Sequence, residues 1–376
     1  MKRACAFTIV AVGVLIAGCE SVIGADFEAT EHSCSHTPFP PRPERNPGAE
    51  EEQEAFAVVT DFDLGDQDAP DKGPTSREIG FDLDNTCTNR GQRPSCKGIE
   101  WTMPELTDGI DGIDNNGGPL IRFQTTSFLN SVPEFTSPTL SNEAIKTGTT
   151  APFALLRIRG WNNRPNDDEV SLDWYLAKDL GGTKEKPRPA RLDGSEEWPV
   201  IDTSVDTAAP LPPNSTAAIS VYRDPHAYVV GHKLYARLPK GTPLNLKNVP
   251  FPTEGILVRL DLKLGSPPEI LGGAMGALVT KKNLFAFMPA MTGEFGFAKV
   301  VCTDDGQYPL VKAYFCKFMD SHADGRFAPD EPCDAISMGA SFKAAPVKLG
   351  PLVPAKELKG CPKETDPARL VDNCEP

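Results

Sequence analysis

Apolar and polar residues alternate one by one along much of this chain, and they recur at helical spacing only rarely. Val170, Leu172, Trp174 and Leu176 alternate with Ser171, Asp173 and Tyr175. Ile256, Val258, Leu260, Leu262 and Leu264 alternate with Leu257, Arg259, Asp261 and Lys263. Period two with charge on one face predicts strands half-buried in antiparallel sheet. Residues 56–59, 153–159, 218–222, 227–230, 232–238 and 336–342 are further strand candidates, separated by turn signals such as Leu211-Pro212-Pro213-Asn214. The run Gly272-Gly273-Ala274-Met275-Gly276 reads as a bulged or tightly packed strand. One stretch is clearly helical, with Leu310, Val311, Tyr314, Phe315, Phe318 and Met319 on one face, and a short helix is possible over 281–288. Many strands with one small late helical insertion predict a mainly β protein, an antiparallel β-sandwich of jelly-roll type. The alternation itself is common to sandwiches and barrels.

The N-terminus changes the picture from fold to address. Lys2 and Arg3 precede an apolar stretch from Phe7 to Ile16, too short to span a bilayer comfortably. It ends in Leu15-Ile16-Ala17-Gly18-Cys19, which resembles a bacterial lipobox. That resemblance implies cleavage after Gly18 and lipidation of Cys19, so that acyl chains replace the removed peptide as the membrane anchor. The bland alternative is an ordinary secretory signal. Glu20 after the cysteine favours the outer membrane or cell surface. Residues 1–18 therefore read as a lipoprotein signal peptide, and 19–53 as a solvated tether carrying Pro38-Phe39-Pro40-Pro41-Arg42-Pro43 and then Glu50, Glu51 and Glu52. Residues 54–376 read as one β domain.

The 376 residues carry 52 acidic and 38 basic side chains, a net charge of -14. Removing residues 1–18 deletes two basic residues and takes the net to -16. No basic excess exists to neutralise phosphates, which disfavours a nucleic-acid partner, and anionic head groups repel such a surface. The lipid, not the protein surface, is expected to hold the chain to the membrane.

Ten cysteines are present. Setting aside Cys5 and Cys19 leaves Cys34, Cys87, Cys96, Cys302, Cys316, Cys333, Cys361 and Cys374, an even set that in an exported chain reads as disulfides. No C-x-x-C pair supports zinc, and the cluster His32-Ser33-Cys34-Ser35-His36 falls in the expected tether. Three of the eight precede residue 100 and five follow residue 300, so complete pairing requires at least one bridge between the ends of the chain. The short spacing predicts Cys87 with Cys96, and a C-terminal cysteine with Cys34.

Candidate chemistry is sparse. No G-x-S-x-G, H-E-x-x-H, phosphate-binding loop or dinucleotide fingerprint occurs, and no catalytic residue is assigned. His226 and His232 flank an expected strand turn and read as ordinary surface or core groups. Asp108-Gly109-Ile110-Asp111-Gly112-Ile113-Asp114-Asn115-Asn116 offers a curled, oxygen-rich loop, and Asp108, Asp111, Asp114 and Asn116 are the candidate calcium ligands. The competing reading is an Asx-rich turn capping its own backbone. In a second loop Asp320, Asp324, Gly325 and Glu331 match positions 1, 5, 6 and 12 of an EF-hand, but His322 stands at position 3 and Pro332 denies an exiting helix.

The segments Phe62-Asp63-Leu64-Gly65-Asp66, Gly80-Phe81-Asp82-Leu83-Asp84, Gly112-Ile113-Asp114-Asn115 and Pro332-Cys333-Asp334-Ala335-Ile336-Ser337 resemble uncharacterised exported lipoproteins of myxobacteria. That resemblance implies an envelope address and carries no activity. The expectation is a lipid-anchored, monomeric or weakly associating envelope protein with a ligand-binding or adhesive role and room for a structural calcium; Trp161, Trp174 and Trp198 are candidates to stack on carbohydrate, although tryptophan is more often core. A secreted polysaccharide hydrolase and a purely structural envelope protein are the alternatives.

Overall fold

Most inward positions of the alternating strands carry an apolar side chain, and in the computed structural model these strands close on themselves. The structure describes residues 39–45, 53–66, 68–69, 73–88, 93–98, 108–123, 138–208, 218–246, 249–291, 301–358, 360–369 and 374. The expected signal peptide, Cys19 and Cys34 lie outside them. Eight strands form the barrel: β1 (Gln53–Asp63), β2 (Leu155–Trp161), β3 (Asp167–Tyr175), β4 (Tyr222–Val230), β5 (Lys233–Leu238), β6 (Ile256–Lys263), β7 (Glu269–Thr280) and β8 (Ala335–Pro346). Each pairs antiparallel with the next, and β8 returns to β1 with Ala57 opposite Pro346 and Phe62 opposite Phe342. The expected jelly-roll sandwich is therefore corrected to a closed up-and-down barrel. Alternation tells inside from outside and is identical in both architectures. What separates them is the β1–β8 pairing, between strands that begin 282 residues apart and carry no local signature of partnership.

Ala57, Leu156, Trp174, Val258, Met275, Ala340 and Phe342 share the inner face through these registers, and all are buried. The lumen is thus a packed core, as eight-stranded barrels permit. The outer wall carries Lys233, Arg237, Arg259, Asp261 and Lys263. An apolar interior inside a charged wall is the reverse of a lipid-facing barrel. Among the described residues no helix is long and apolar enough to cross a membrane.

Helices α1 (Gly117–Phe123), α2 (Pro138–Lys146), α3 (Lys281–Phe287) and α4 (Tyr308–Lys317) lie in the connections. α3 and α4 match the expected helices within a few residues, whereas α1 and α2 were not anticipated. α2 holds the bulge in β1: Asn142 accepts the Phe62 amide at 2.9 Å, returns a bond to the Phe62 carbonyl at 3.2 Å, and Lys146 pairs with Asp61 at 2.8 Å. His36–Pro376 forms one compact unit.

Three disulfides are described: Cys96–Cys333, Cys302–Cys361 and Cys316–Cys374. The expected Cys87–Cys96 bridge is corrected, although Cys87 is itself disulfide-bonded. Chain proximity favours short loops in the unfolded ensemble, but here the fold sets Cys96 beside Cys333 by laying residues 96–97 parallel to Ala328–Pro332. The bridge between the ends of the chain that parity requires is this one.

A second outer-wall feature is charged and buried. Arg157 and Asp173 are fully buried opposite each other on β2 and β3. Arg157 reaches Glu54 at 2.7 Å, Asp173 at 3.9 Å and the Tyr175 hydroxyl at 3.4 Å, and Arg159 reaches Asp173 at 2.8 Å. Removing one partner of such a set strands the others without water. Asp173→Ala should therefore cost about 3–5 kcal/mol in urea unfolding at neutral pH. A loss below about 1 kcal/mol would show that the two arginines find other compensation.

Candidate metal centre

The site is built on the outer face of β7 and β8, where Gly276 and Gly339 stand directly opposite each other. A side chain at Gly339 would lie 2.2 Å from the Ile79 carbonyl, and one at Gly276 would meet the Phe81 ring at 3.0 Å. The paired glycines leave a bare patch of sheet on which residues 79–84 lie flat. That segment forms a bridge with the aspartate loop: the Asp114 amide donates to the Phe81 carbonyl at 2.9 Å, and the Leu83 amide donates to the Asp114 carboxylate at 2.6 Å. Asn115 ties the layer down by donating to the carbonyls of Leu64 and Ile79, both at 3.0 Å.

Here Asp82, Asp84 and Asp114 converge. Each is buried, and each offers a carboxylate oxygen within 4.8 Å of the others. Asp108 and Asp320 stand close enough to act on them electrostatically. Burial raises the Asp108 carboxyl from 3.8 to about 8, reinforced by the charges of Asp84, Asp320 and Asp82 and opposed by the Thr88 amide. Burial likewise raises Asp114 well above the ordinary carboxylate range, with Asp84, Asp108 and Asp320 adding to it and the Leu83 amide opposing it. Asp320 is pushed up to about 7 by burial, against hydrogen bonds from the Ser337 amide and hydroxyl. The space lined by Asp108, Asp114, Asp320 and Asn116 is about 40 Å³, room for one ion or one water.

Of the four expected ligands, Asp108 and Asp114 face this space. Asn116 lines it but spends its amide nitrogen on the Phe318 carbonyl at 2.8 Å. Asp111 is exposed, in a left-handed turn with φ 54°, and does not join the carboxylate group. Asp82 and Asp84 were missed because they lie about 30 residues upstream and only the bridge to Asp114 brings them in. Their signal was the alternation Asp82-Leu83-Asp84, which puts both carboxylates on one side of an extended segment.

The second loop divides. Asp320 turns to the aspartate cluster, while Asp324 and Glu331 are exposed and pair with Arg326 at 3.6 and 2.5 Å. His322 is buried, its Nε2 lying 3.2 Å from the Ala328 carbonyl. Gly325, at φ +67°, packs where a side chain would lie 2.4 Å from the Leu83 carbonyl, so this loop buttresses the site. Cys96–Cys333 clamps the same corner, with Pro94 and Ser95 on the lining.

The remaining candidates fall elsewhere. His232 occupies the β4–β5 hairpin turn at φ 67° and His226 is exposed. Trp161, Trp174 and Trp198 are completely buried, their indole N–H groups bonded to the carbonyls of Arg164, Pro243 and Lys178, so they form no surface for stacking on sugars. Large aromatic residues in alternating strands point inward with their apolar neighbours, and each polar tip finds a backbone acceptor.

Fold and site together define a closed antiparallel barrel with an acidic loop layer on one wall. No family model matches the chain, and neither a curated protein nor a solved structure matches it.

With metal withheld, the raised carboxyls make a signed prediction. A native carboxyl that titrates near 8 keeps a proton that the unfolded chain releases near 3.8, so its contribution is intact below 3.8 and lost as pH rises through 8. In EDTA, Asp108→Asn should therefore raise the melting temperature over the wild type increasingly between about pH 5 and about pH 8.5. A difference that shrinks over that range would contradict the burial of this charge.

Proposed function

We propose that this chain is a non-enzymatic protein of the bacterial envelope, anchored by lipid at Cys19, whose loop layer is fixed by a structural calcium ion. The observation that carries the metal reading is the match between charge and space. Carboxylate oxygens of Asp82, Asp84 and Asp114 lie within 4.8 Å of one another, and Asp114 also lines, with Asp108 and Asp320, an adjoining space of about 40 Å³. Calcium favours several carboxylate and carbonyl oxygens around one centre, and its charge relieves the repulsion that raises these carboxyls.

A ligand-binding role is supported by a different feature. The lumen is filled by side chains, so a ligand must bind outside it. A cleft of about 670 Å³ lies on the outer wall, lined by Phe56, Tyr175, Val200, Pro267 and Leu349, with Glu54, Glu197 and Lys348 as its charged groups. That volume and mixture suit a small organic molecule. Nothing about the cleft selects carbohydrate.

Calcium at millimolar concentration should raise the melting temperature by several degrees over EDTA. Binding at a hundredfold excess over Kd contributes about 2.7 kcal/mol. Magnesium should do less, since it resists dehydration. The shift should disappear in Asp82→Asn/Asp114→Asn and persist in Asp111→Asn and in Asp324→Asn/Glu331→Gln. Coincident melting curves in calcium and EDTA would reduce the cluster to a set of protonated, hydrogen-bonded aspartates.

A further inference from the structure

Part of the stretch that reads as a solvated tether is docked on the barrel. Phe39 is only 5% exposed. Its ring meets Phe81 edge-on at 5.6 Å and Tyr235 at 5.2 Å, with the Arg237 guanidinium over it at 4.9 Å. The Pro40 carbonyl accepts the Tyr228 hydroxyl at 2.6 Å. Arg42 lies over the Tyr228 ring at 4.8 Å and donates to the carbonyls of Asp168 and His226. Tyr228 and Tyr235 stack side by side on β4 and β5, with ring centroids 5.7 Å apart.

This is the chemistry by which aromatic grooves recognise proline-rich segments. A chain that is extended beforehand loses little entropy on docking, its rings lie on aromatic faces, and a tyrosine hydroxyl takes the carbonyl that proline leaves exposed. The sequence Phe39-Pro40-Pro41-Arg42-Pro43 supplies the anchor, the stiffness and a terminal cation. The groove answers with an aromatic socket and two backbone carbonyls. None of the bonds described between strap and wall is a strand-ladder bond, so the strap can leave without opening the sheet. Seven residues, 46–52, connect it to β1, which lies four strands from β5 around the barrel.

We propose that the β4–β5 wall is a receptor for this proline-rich segment, and that a second copy of the chain can deliver it in place of the resident one. The resident strap holds the groove closed through the high effective concentration of a linked ligand. Exchange between copies would join barrels through their N-terminal segments with no change in the barrel itself.

The test uses a fluorescent peptide of residues 37–45 as the probe, added to the mature protein in trans. Wild type, with its groove occupied, should bind weakly. Phe39→Ser/Arg42→Ala, which removes the anchor and the cation of the resident strap, should bind the peptide at least tenfold more tightly. Tyr228→Ala in that background should abolish the gain. Equal binding by wild type and strap variant would place the peptide elsewhere and overturn the proposal. So would no binding by a strap variant whose near-ultraviolet circular dichroism matches wild type. If the double variant does not fold, Arg42→Ala alone decides the matter. Arg42 is exposed. Peptide affinity higher than wild type supports exchange, and unchanged affinity overturns it.

Discussion

The pairing of β1 with β8 is the constraint on which the rest of the molecule depends. It joins strands whose starts are separated by 282 residues and turns a meander with two exposed edges into a barrel with none. Closure fills the lumen with apolar side chains and leaves the long connections no place except the outside. Each then settles on a wall suited to it. Residues 79–84 and the aspartate loop lie on the bare glycine patch of β7 and β8, and the Phe39 strap lies on the tyrosines of β4 and β5. The bridge from Cys96 to Cys333 spans 237 residues and clamps the loop layer just before β8 begins, at the end of that strand away from its pairing with β1.

Two groups of buried charge on this outer surface are solved in different ways. Around Asp173 the protein supplies its own cations, Arg157 and Arg159. Around Asp114 burial acts first, the carboxylates of Asp84, Asp108 and Asp320 add to it and the Leu83 amide opposes it, and the result is an acid driven toward its neutral form. A protein with 38 basic residues has arginines to spend. Arg157 and Arg159 stand within the first cluster, whereas Arg77 lines the space beside Asp108, Asp114 and Asp320, so the acidic site is not without a cation of its own.

How much was legible follows from which interactions are local. The strands of residues 170–176 and 256–264 were readable because a half-buried strand writes its period into neighbouring residues. The glycine run 272–276 was readable as a tightly packed strand, and Gly276 proves to be the floor of the site. The barrel was not readable, because closure is a relation between ends. Asp108 and Asp114 could be found within one loop, whereas Asp82, Asp84 and Asp320 join them only through the sheet. The charge pattern also misled. Asp111 sits at regular spacing between two inward aspartates, yet the left-handed turn at that residue turns it to solvent. The tether's composition promised solvation, but Phe39 and Arg42 found partners on the paired tyrosines of β4 and β5, about 190 residues further along the chain.

The most direct measurement is anomalous diffraction from crystals of the protein grown with millimolar calcium. The account predicts an anomalous peak on the β7–β8 wall with carboxylate oxygens of Asp82, Asp84 and Asp114 at calcium-ligand distances of about 2.3–2.6 Å. A fully ordered loop layer with no peak there, and those carboxylates hydrogen-bonded to one another instead, would contradict it.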